Sequence, residues 1–300
     1  MKSSIIVKRA EYNQALAGII ATALEELGPV AIANGDPLAL KINLCDARTP
    51  DTGAITHPVF LDQLLKCLRE KYPRSEIYVV ESDGTVAFAD EFIKWFGFLP
   101  ILDKWKAQWF NLSKDKIINK KICGLALSEV PVPELLTRAK LINVPKLKTN
   151  MLTQITCCLK NLFGCLPVID KGNFHSRIDK VIADVNTVYR PVFNLVDGIL
   201  AMGGARGPAS GVPIRTNLLL AGRDAVAIDT LAARIMGLNP RKIKHIQYAQ
   251  KAGVGGMEYE LRGELEKYDF EINKYELMQF TLGGKLQDAL RKRFRRTANK

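Results

Sequence analysis

Three runs in the first third of the chain define its architecture: ALKINL (39–44), HPVFLDQLLKCLREKY (57–72) and EIYVVES (76–82). The first and third runs are short, apolar and bounded by polar residues, which predicts two buried strands. The middle run places Phe60 and Leu64, with further leucines, on one face of a helix. A strand, a helix and a strand in this order predict neighbouring parallel strands with the helix packed across them.

The same alternation continues on both sides of this unit. Upstream, IIVKR (5–9) predicts a strand and NQALAGIIATALEEL (13–27) a helix. Downstream, the predicted elements are the strands KICGLALSEV (121–130) and AKLINVPKL (139–147) around a short helix PELLTR (133–138), a helix TQITCCLKNLF (153–163), the strands VFNLVDGIL (192–200) and NLLLAG (217–222), and a helix DAVAIDTLAARIMG (224–237). We therefore predict an α/β fold with a largely parallel sheet and helices on both faces.

Composition sets the size of the core and the number of domains. At 300 residues, with 47% hydrophobic and 25% charged residues, the chain can bury one large core or two modest ones. We predict a single α/β domain over residues 1–283. A boundary between two lobes near Asn119 remains the alternative, although no Pro-, Gly- or Ser-rich linker marks it.

The formal net charge is +12, which favours acidic partners without identifying one. Part of this excess lies in residues 284–300, which we predict to form a basic C-terminal helix or tail with Leu286, Leu290 and Phe294 on one side. Such a segment either docks on the domain with its basic side in water or makes weak contact with anionic lipid or RNA.

The N-terminus and the cysteines bear on the compartment. Charges interrupt the apolar residues of the first 27 positions, so they do not resemble a secretory signal, and no apolar run is long enough to span a bilayer. We expect a cytoplasmic protein whose six cysteines are thiols. The spacing of Cys157, Cys158 and Cys165 matches neither a zinc knuckle nor an iron-sulfur motif, so we predict no metal ligands.

Lysines dominate the stretch from VPKLKTN (144–150) through CLKNLFG (158–164) to DKGNFH (170–175). The apolar residues between them indicate burial, and a buried ammonium is costly unless an anion or a carbonyl oxygen meets it. We therefore expect Lys146, Lys148 and Lys160 to neutralise a phosphate or carboxylate group of a bound small molecule. Lys160 could instead extend to the surface from an amphipathic helix.

Further candidates follow the predicted strands, at the edge where α/β sheets bind ligands. These ligand-binding candidates are Asn43, Arg48 and Thr49 after the second strand, Asn150 after the lysine-bearing strand, Asn161 on the helix that follows, and Asp197 before Gly198. Asp197 could instead cap a turn, and Asp224 is expected to cap the helix that follows it. Asp229 falls inside that helix among apolar residues, where a carboxylate is stable only with a cationic partner, so it is a candidate for a paired role. His57 precedes Pro58 and is expected only to begin a helix.

The loop MGGARGPASG (202–211) is rich in glycine. Gly203, Gly204, Gly207 and Gly211 allow positive φ, so successive backbone N–H groups could cradle an oxyanion. The loop is neither a dinucleotide-binding fingerprint nor a Walker A motif, and an ordinary turn is the alternative.

Taken together, VPKLKTN, LKNLFG, the later His175, LVDGI, the GGxxGPxxG loop and the DAVAIDTLAARIMG helix resemble the family known as domain of unknown function 362. Many members of that family carry a ferredoxin-like iron-sulfur segment, and this sequence has no iron-sulfur motif. The resemblance therefore implies that redox work would need a separate electron-transfer partner. The chain departs from the family pattern at Ile42, where proline is usual, and at Asn150, where histidine is usual.

The run CDARTP (45–50) is also similar to the Asp-x-Thr-Arg-Pro motif of the nickel-pincer lactate racemase group. That resemblance implies a nucleotide-like organic cofactor, with Lys160 as its anchoring lysine and His175 as a ligand or an acid/base. Asn150 would leave one catalytic position of that group without its imidazole, since an amide does not exchange protons near neutral pH.

The sequence thus favours a small-molecule enzyme or cofactor-binding protein of oxidoreductase- or racemase-like chemistry. Its catalytic candidates are Lys160, Lys148 and His175, although His175 could also be a surface residue. A non-catalytic basic module for RNA or an acidic protein is the alternative, but nucleic acid is disfavoured because Phe163 and Phe174 are the aromatic residues near the lysines. A third hypothesis is that the chain is a family member that keeps the fold but has lost catalytic turnover. The motive for this hypothesis is Asn150, which stands where the family usually has histidine.

Overall fold

A computed structural model describes residues 2–205, 207, 210–272 and 282–283. The strands in this part of the chain are β1 (Ser3–Arg9), β2 (Leu38–Lys41), β3 (Ile77–Glu81), β4 (Gln108–Asn111), β5 (Ile117–Lys121), β6 (Glu129–Pro133), β7 (Lys140–Asn143), β8 (Lys146–Asn150), β9 (Gln154–Thr156), β10 (Phe193–Gly203), β11 (Val212–Gly222) and β12 (Tyr259–Arg262). The helices are α1 (Leu16–Glu26), α2 (Pro58–Lys71), α3 (Ala89–Trp95), α4 (Leu99–Lys104), α5 (Leu135–Arg138), α6 (Cys158–Phe163), α7 (Ile178–Val188), α8 (Ala225–Ile235) and α9 (Lys244–Lys251).

One large sheet organises these elements, in the strand order β12-β1-β11-β10-β7-β2-β3-β4. The strands from β10 to β4 in this order are mutually parallel, and β11 runs antiparallel to both β10 and β1. β8 lies beside β10 and pairs in turn with β9, whereas β5 and β6 form a separate two-stranded sheet. The prediction of an α/β fold with a largely parallel sheet is confirmed.

Helices cover both faces of the sheet, as predicted. On β2, Leu38 and Leu40 enter the core that α1 and α2 complete, whereas Ala39 enters the core built with α6, α7, α8 and α9. Because successive side chains of a strand point to opposite faces, a strand covered on both sides is apolar throughout, which explains the unbroken run ALKINL.

The structure differs from the sequence prediction around the lysine-bearing strand. The predicted single strand 139–147 is two strands, β7 and β8, separated by Val144 and Pro145. Proline has no N–H for a ladder bond, and the Pro145 carbonyl accepts instead from the Asp197 N–H at 2.9 Å. The break moves the chain from its place between β2 and β10 to a position where it pairs with β10 and β9.

The predicted helix 153–163 is also shorter than expected. Residues Gln154–Thr156 form β9, which turns back antiparallel along β8, and only Cys158–Phe163 are helical. Ile155 and Thr156 are β-branched, which favours a strand. The short apolar run around them fits a strand as well as a helix, so the sequence pattern alone did not distinguish the two.

No helix among the described residues is long and apolar enough to cross a membrane. The predicted basic C-terminal helix or tail, with Leu286, Leu290 and Phe294, lies outside the described residues.

Candidate functional site

Four asparagines join the helix α6 to the carboxyl edge of the sheet. Asn43, just after β2, donates to the side-chain oxygen of Asn161 at 2.9 Å, and Asn161 donates to that of Asn143 at 2.8 Å. Asn143 in turn donates to Asn194 at 2.8 Å. All four side chains are buried, so each amide needs these bonds. The chain of amides fixes the residues of α6 against the ends of β2 and β7.

Lys148 is held at this edge by acceptors without a full charge. Its side chain is buried, and Nζ donates to Asn43 Oδ1 at 2.8 Å and to the Ala54 carbonyl at 2.5 Å. The Cys45 thiol lies 3.1 Å from the same nitrogen. Two oxygen dipoles and one thiol meet the three N–H donors of this ammonium without cancelling its charge, so Lys148 contributes a positive field to the site.

Lys160 projects from α6 beside Cys45 and within the electrostatic reach of Lys148 and Lys41. Burial lowers its pKa to about 8, and the neighbouring lysines add to this effect. Within the described part of the chain, its ammonium has no hydrogen-bond or ion-pair partner. The Lys160 side chain is half-buried, and a partly desolvated cation without an anion is unfavourable, so a ligand oxygen would be stabilised here.

Lys41 and Lys171 already have partners. Lys41 Nζ forms a buried ion pair with Glu81 Oε1 at 2.7 Å, and Lys171 Nζ donates to Ser82 Oγ at 2.8 Å. Burial lowers the pKa of Lys171 to about 8. At Gly164, an added Cβ would lie 2.7 Å from Lys41 Nζ, so only glycine allows the turn after α6 to approach this pair.

Lys146 and Asp197 neutralise each other in a second buried cluster. Lys146 Nζ lies 2.9 Å from Asp197 Oδ2, and both side chains are fully buried. Tyr12 donates to Asp197 Oδ1 at 2.7 Å, and the ring of His57 stacks on that of Tyr12 at 3.8 Å. Desolvation lowers the pKa of His57 to about 4. Tyr12 and His57 were not among the predicted site residues, because nothing in the sequence links them to Lys146.

The other strand-end candidates lie at the border of the site. The Arg48 N–H donates to Asp46 Oδ1 at 3.0 Å, and Nη2 donates to the Gly211 carbonyl at 3.0 Å, which ties this loop to the glycine-rich loop. The exposed Thr49 hydroxyl donates to Asp51.

Asn150 has a structural task at the turn between β8 and β9. Its Oδ1 accepts from the Leu152 N–H at 3.0 Å, the Thr153 N–H at 3.1 Å and the Thr153 hydroxyl at 3.0 Å. An amide oxygen can accept all three bonds, which accounts physically for asparagine at this position.

The glycine-rich loop packs closely instead of offering every N–H to a ligand. The Gly204 N–H donates to the Phe270 carbonyl at 2.9 Å, so it is not available to the expected oxyanion cradle. An added Cβ at Gly203 would lie 2.3 Å from the Phe270 oxygen, and one at Gly207 would lie 2.4 Å from the Thr149 oxygen. Close backbone approach is therefore what these two glycines supply here.

His175 is half-buried in the 3₁₀ turn Lys171–Arg177, which follows α6 in the chain. Hydrogen bonds and electrostatic interactions bring Lys148, Lys160, Asn43 and Asn161 together.

The match to known proteins covers the part of the chain that builds this site. The family model described as Domain of unknown function (DUF362) matches residues 38–234. The chain belongs to this family. The matched span runs from β2 to α8 and so includes Lys148, Lys160 and the four asparagines.

Two individual proteins are similar to this DUF362 member. A thylakoid-associated protein of Synechocystis sp. is 26% identical over 276 residues, which cover 87% of this chain and 83% of that protein. The lactate racemase apoprotein from Thermoanaerobacterium thermosaccharolyticum has a TM-score of 0.43 and 13% sequence identity. That structural match covers 79% of this chain and 58% of the racemase chain, so this chain spans less than two thirds of it.

Proposed function

We propose that this protein binds a small molecule with a phosphate or carboxylate group beside Lys160 and acts on it as an enzyme. The observation that carries the proposal is the half-buried Lys160 ammonium, which has no hydrogen-bond or ion-pair partner among the described residues. Lys41 and Lys146 in the same region each have a carboxylate partner. An anion beside Lys160 would supply the negative charge that compensates its ammonium.

The surroundings of Lys160 suit acid–base chemistry. A lysine whose pKa burial lowers to about 8 exchanges its proton within reach of physiological pH, whereas an ordinary lysine does not. The fixed charge on Lys148 would stabilise negative charge that develops on the bound molecule. Asn43 and Asn161 hold α6, and with it Lys160, at the edge of the sheet.

Ligand binding by matched lysine variants tests this proposal. Inorganic phosphate, pyrophosphate and succinate are titrated into the purified full chain by calorimetry, and the Lys160→Met and Lys180→Met variants are compared with the wild type. Lys180 lies on the exposed side of α7 and serves as the control. We expect Lys160→Met to lose binding of at least one probe, and Lys180→Met to retain it. Equal affinity in the two variants would remove Lys160 from the site.

A second candidate function is association with a membrane surface. Its support is the thylakoid-associated relative together with an exposed aromatic pair, Phe88 and Trp95, which are 57% and 65% exposed. Phe88 directly precedes α3 as its N-cap residue, and Trp95 is the last residue of that helix. We propose that Phe88 and Trp95 contact anionic lipid while the Lys160 site binds its small molecule.

A further inference from the structure

Three helices on one side of the sheet bring metal-binding side chains together. Cys157 and Cys158 lie at the start of α6, and Asp229 lies in the middle of α8. Their two sulfur atoms and one carboxylate oxygen lie within 4.8 Å of one another, and all three residues are buried. None of these residues takes part in the proposed anion site.

A fourth side chain points to a ligand at the same place. His245 on α9 is fully buried, and within the described residues neither of its ring nitrogens has a hydrogen-bond partner. Nε2 lies 4.0 Å from Asp229 Oδ2, and Nδ1 lies 3.7 Å from Asp179 Oδ1. A buried imidazole with both nitrogens unsatisfied is costly, so this arrangement calls for a further atom between His245 and Asp229.

We propose that Cys157, Cys158 and Asp229 bind one Zn²⁺ ion and that a small side-chain movement of His245, whose Nε2 lies 4.0 Å from Asp229 Oδ2, supplies the fourth ligand. Two thiolates, an imidazole and a carboxylate are ligands that zinc takes in tetrahedral sites. Zn–S bonds of about 2.3 Å place two sulfur ligands of a tetrahedron about 3.8 Å apart. The Cys157 and Cys158 sulfur atoms lie 3.9 Å apart, which is close to that separation. Oxygen-preferring ions such as Mg²⁺ and Ca²⁺ do not suit a pair of thiolates.

The residues around the four ligands also fit a zinc centre. A histidine that binds zinc through one nitrogen commonly donates its other N–H to a carboxylate, and Asp179 lies in that position beside His245 Nδ1. The Asp229 carboxylate accepts from the backbone N–H groups of Cys158 at 2.7 Å and Leu159 at 3.1 Å, which orients it toward the two sulfurs.

Such a zinc ion would be structural. Its four protein ligands leave no open position for a substrate, and the ligands join α6, α8 and α9. Both thiols must lose their protons to solvent when the metal binds, so zinc binding releases protons. Because α6 also carries Lys160, the ion would fix the helix that presents the anion-binding lysine.

Cobalt and zinc titrations of the full chain test the site. Metal-free protein is titrated with Co²⁺ and then with Zn²⁺, while the absorption that arises from thiolate-to-cobalt charge transfer is recorded. We expect one Co²⁺ per chain with this absorption, its displacement by one equivalent of Zn²⁺, and a higher Tm with zinc, since a ligand of the native state stabilises it. Wild-type protein without thiolate-to-cobalt absorption would overturn the proposal.

Matched variants decide which residues bind the metal. Cys158→Ser and His245→Gln should each lower the affinity for Zn²⁺ at least about tenfold. Cys165→Ser removes an equally buried thiol beyond the C-terminal end of α6 and should leave the affinity for Zn²⁺ unchanged. If a variant does not fold, alkylation of the wild type at a urea concentration that unfolds the metal-free chain decides: bound zinc should protect Cys157 and Cys158, and equal labelling with and without zinc contradicts the site.

Discussion

The lysines of the candidate site differ in the groups that compensate their charge. Lys146 has a carboxylate at 2.9 Å, and Lys148 has neutral oxygen atoms at 2.5 and 2.8 Å. Lys160 has no partner of either kind among the described residues. Lys146 and Lys148 are two positions apart on β8, so they lie on the same side of that strand. Their different partners come from distant parts of the chain.

The affinity for an anion should fall with rising pH above about 8. Lys160 has a pKa of about 8 without ligand, so it is charged below this pH and neutral above it. A bound anion raises this pKa, and binding above pH 8 therefore requires uptake of a proton, which costs up to about tenfold in affinity per pH unit. Calorimetry with phosphate from pH 7 to 9.5 measures this slope. A constant affinity, or one that rises with pH, would show that the charge on Lys160 is not needed.

Replacing Asn150 by histidine should destabilise the turn without creating turnover. The Asn150 oxygen accepts from two backbone N–H groups and one hydroxyl, and an imidazole ring cannot accept all three. We expect Asn150→His to lower the free energy of unfolding by about 1–3 kcal/mol in urea denaturation. Asn150→Asp keeps the acceptor oxygen and is the matched control. A histidine variant that is as stable as the wild type and gains racemase or oxidoreductase activity would instead support a lost catalytic position.

The lysines of the site could be found from the sequence, but their roles could not. Apolar residues around Lys146, Lys148 and Lys160 indicate burial, and the strand-end position places them at the ligand-binding edge. Tyr12 and Asp197, which satisfy Lys146, are 185 positions apart in sequence. No local pattern joins such residues, so the sequence alone does not tell which ammonium is left for a ligand.

A buried carboxylate helps to attach the β5–β6 hairpin to the domain. Asp184 on α7 is buried and accepts from the backbone N–H groups of Leu125 at 2.6 Å, Ala126 at 2.7 Å and Leu127 at 2.9 Å. These residues form the loop between β5 and β6. All five residues of β5 are exposed, so the hairpin depends on β6 and on this loop for its place.

Asp184→Ala should therefore release the hairpin. The substitution leaves three backbone N–H groups without their acceptor, and we expect a loss of about 2–4 kcal/mol in the free energy of unfolding. Hydrogen exchange at residues 117–133 should accelerate more than exchange in β2 and β3. Asp103→Ala, at an exposed position of α4, is the control. Uniform acceleration in both regions would mean that the hairpin does not open as a separate unit.

The sequence predicts best the helices whose apolar residues recur at a regular helical spacing. α2 begins at Pro58 after His57, whose Nδ1 accepts from the Val59 N–H, and α8 begins after Asp224, which accepts from Val226 and Ala227. Both boundaries were visible as capping residues before apolar repeats. The sequence did not indicate that β11 runs antiparallel to β10, because strand direction depends on the pairing partners and not on the composition of either strand.

Two properties of the protein, its net charge and its exposed aromatic side chains, support the proposed contact with anionic lipid. The net charge of +12 attracts the chain toward anionic surfaces over distances of about a Debye length. Phe88 and Trp95 offer apolar contact area next to a half-buried ring, Phe96, at the end of α3. Aromatic residues of this kind are favoured where a protein meets the interface of a bilayer.

Vesicle binding should depend on both contributions. We expect the full chain to sediment with phosphatidylglycerol vesicles at low salt, and binding to fall as salt rises, because screening weakens the attraction of basic residues to anionic lipid. Trp95→Ala should weaken binding about threefold to tenfold at constant salt, since an inserted indole loses its apolar contact. Leu125→Ala, which removes an exposed apolar side chain from the β5–β6 loop, is the matched control. Equal binding by both variants would exclude the α3 surface, and equal binding to neutral phosphatidylcholine vesicles would exclude the contribution of charge.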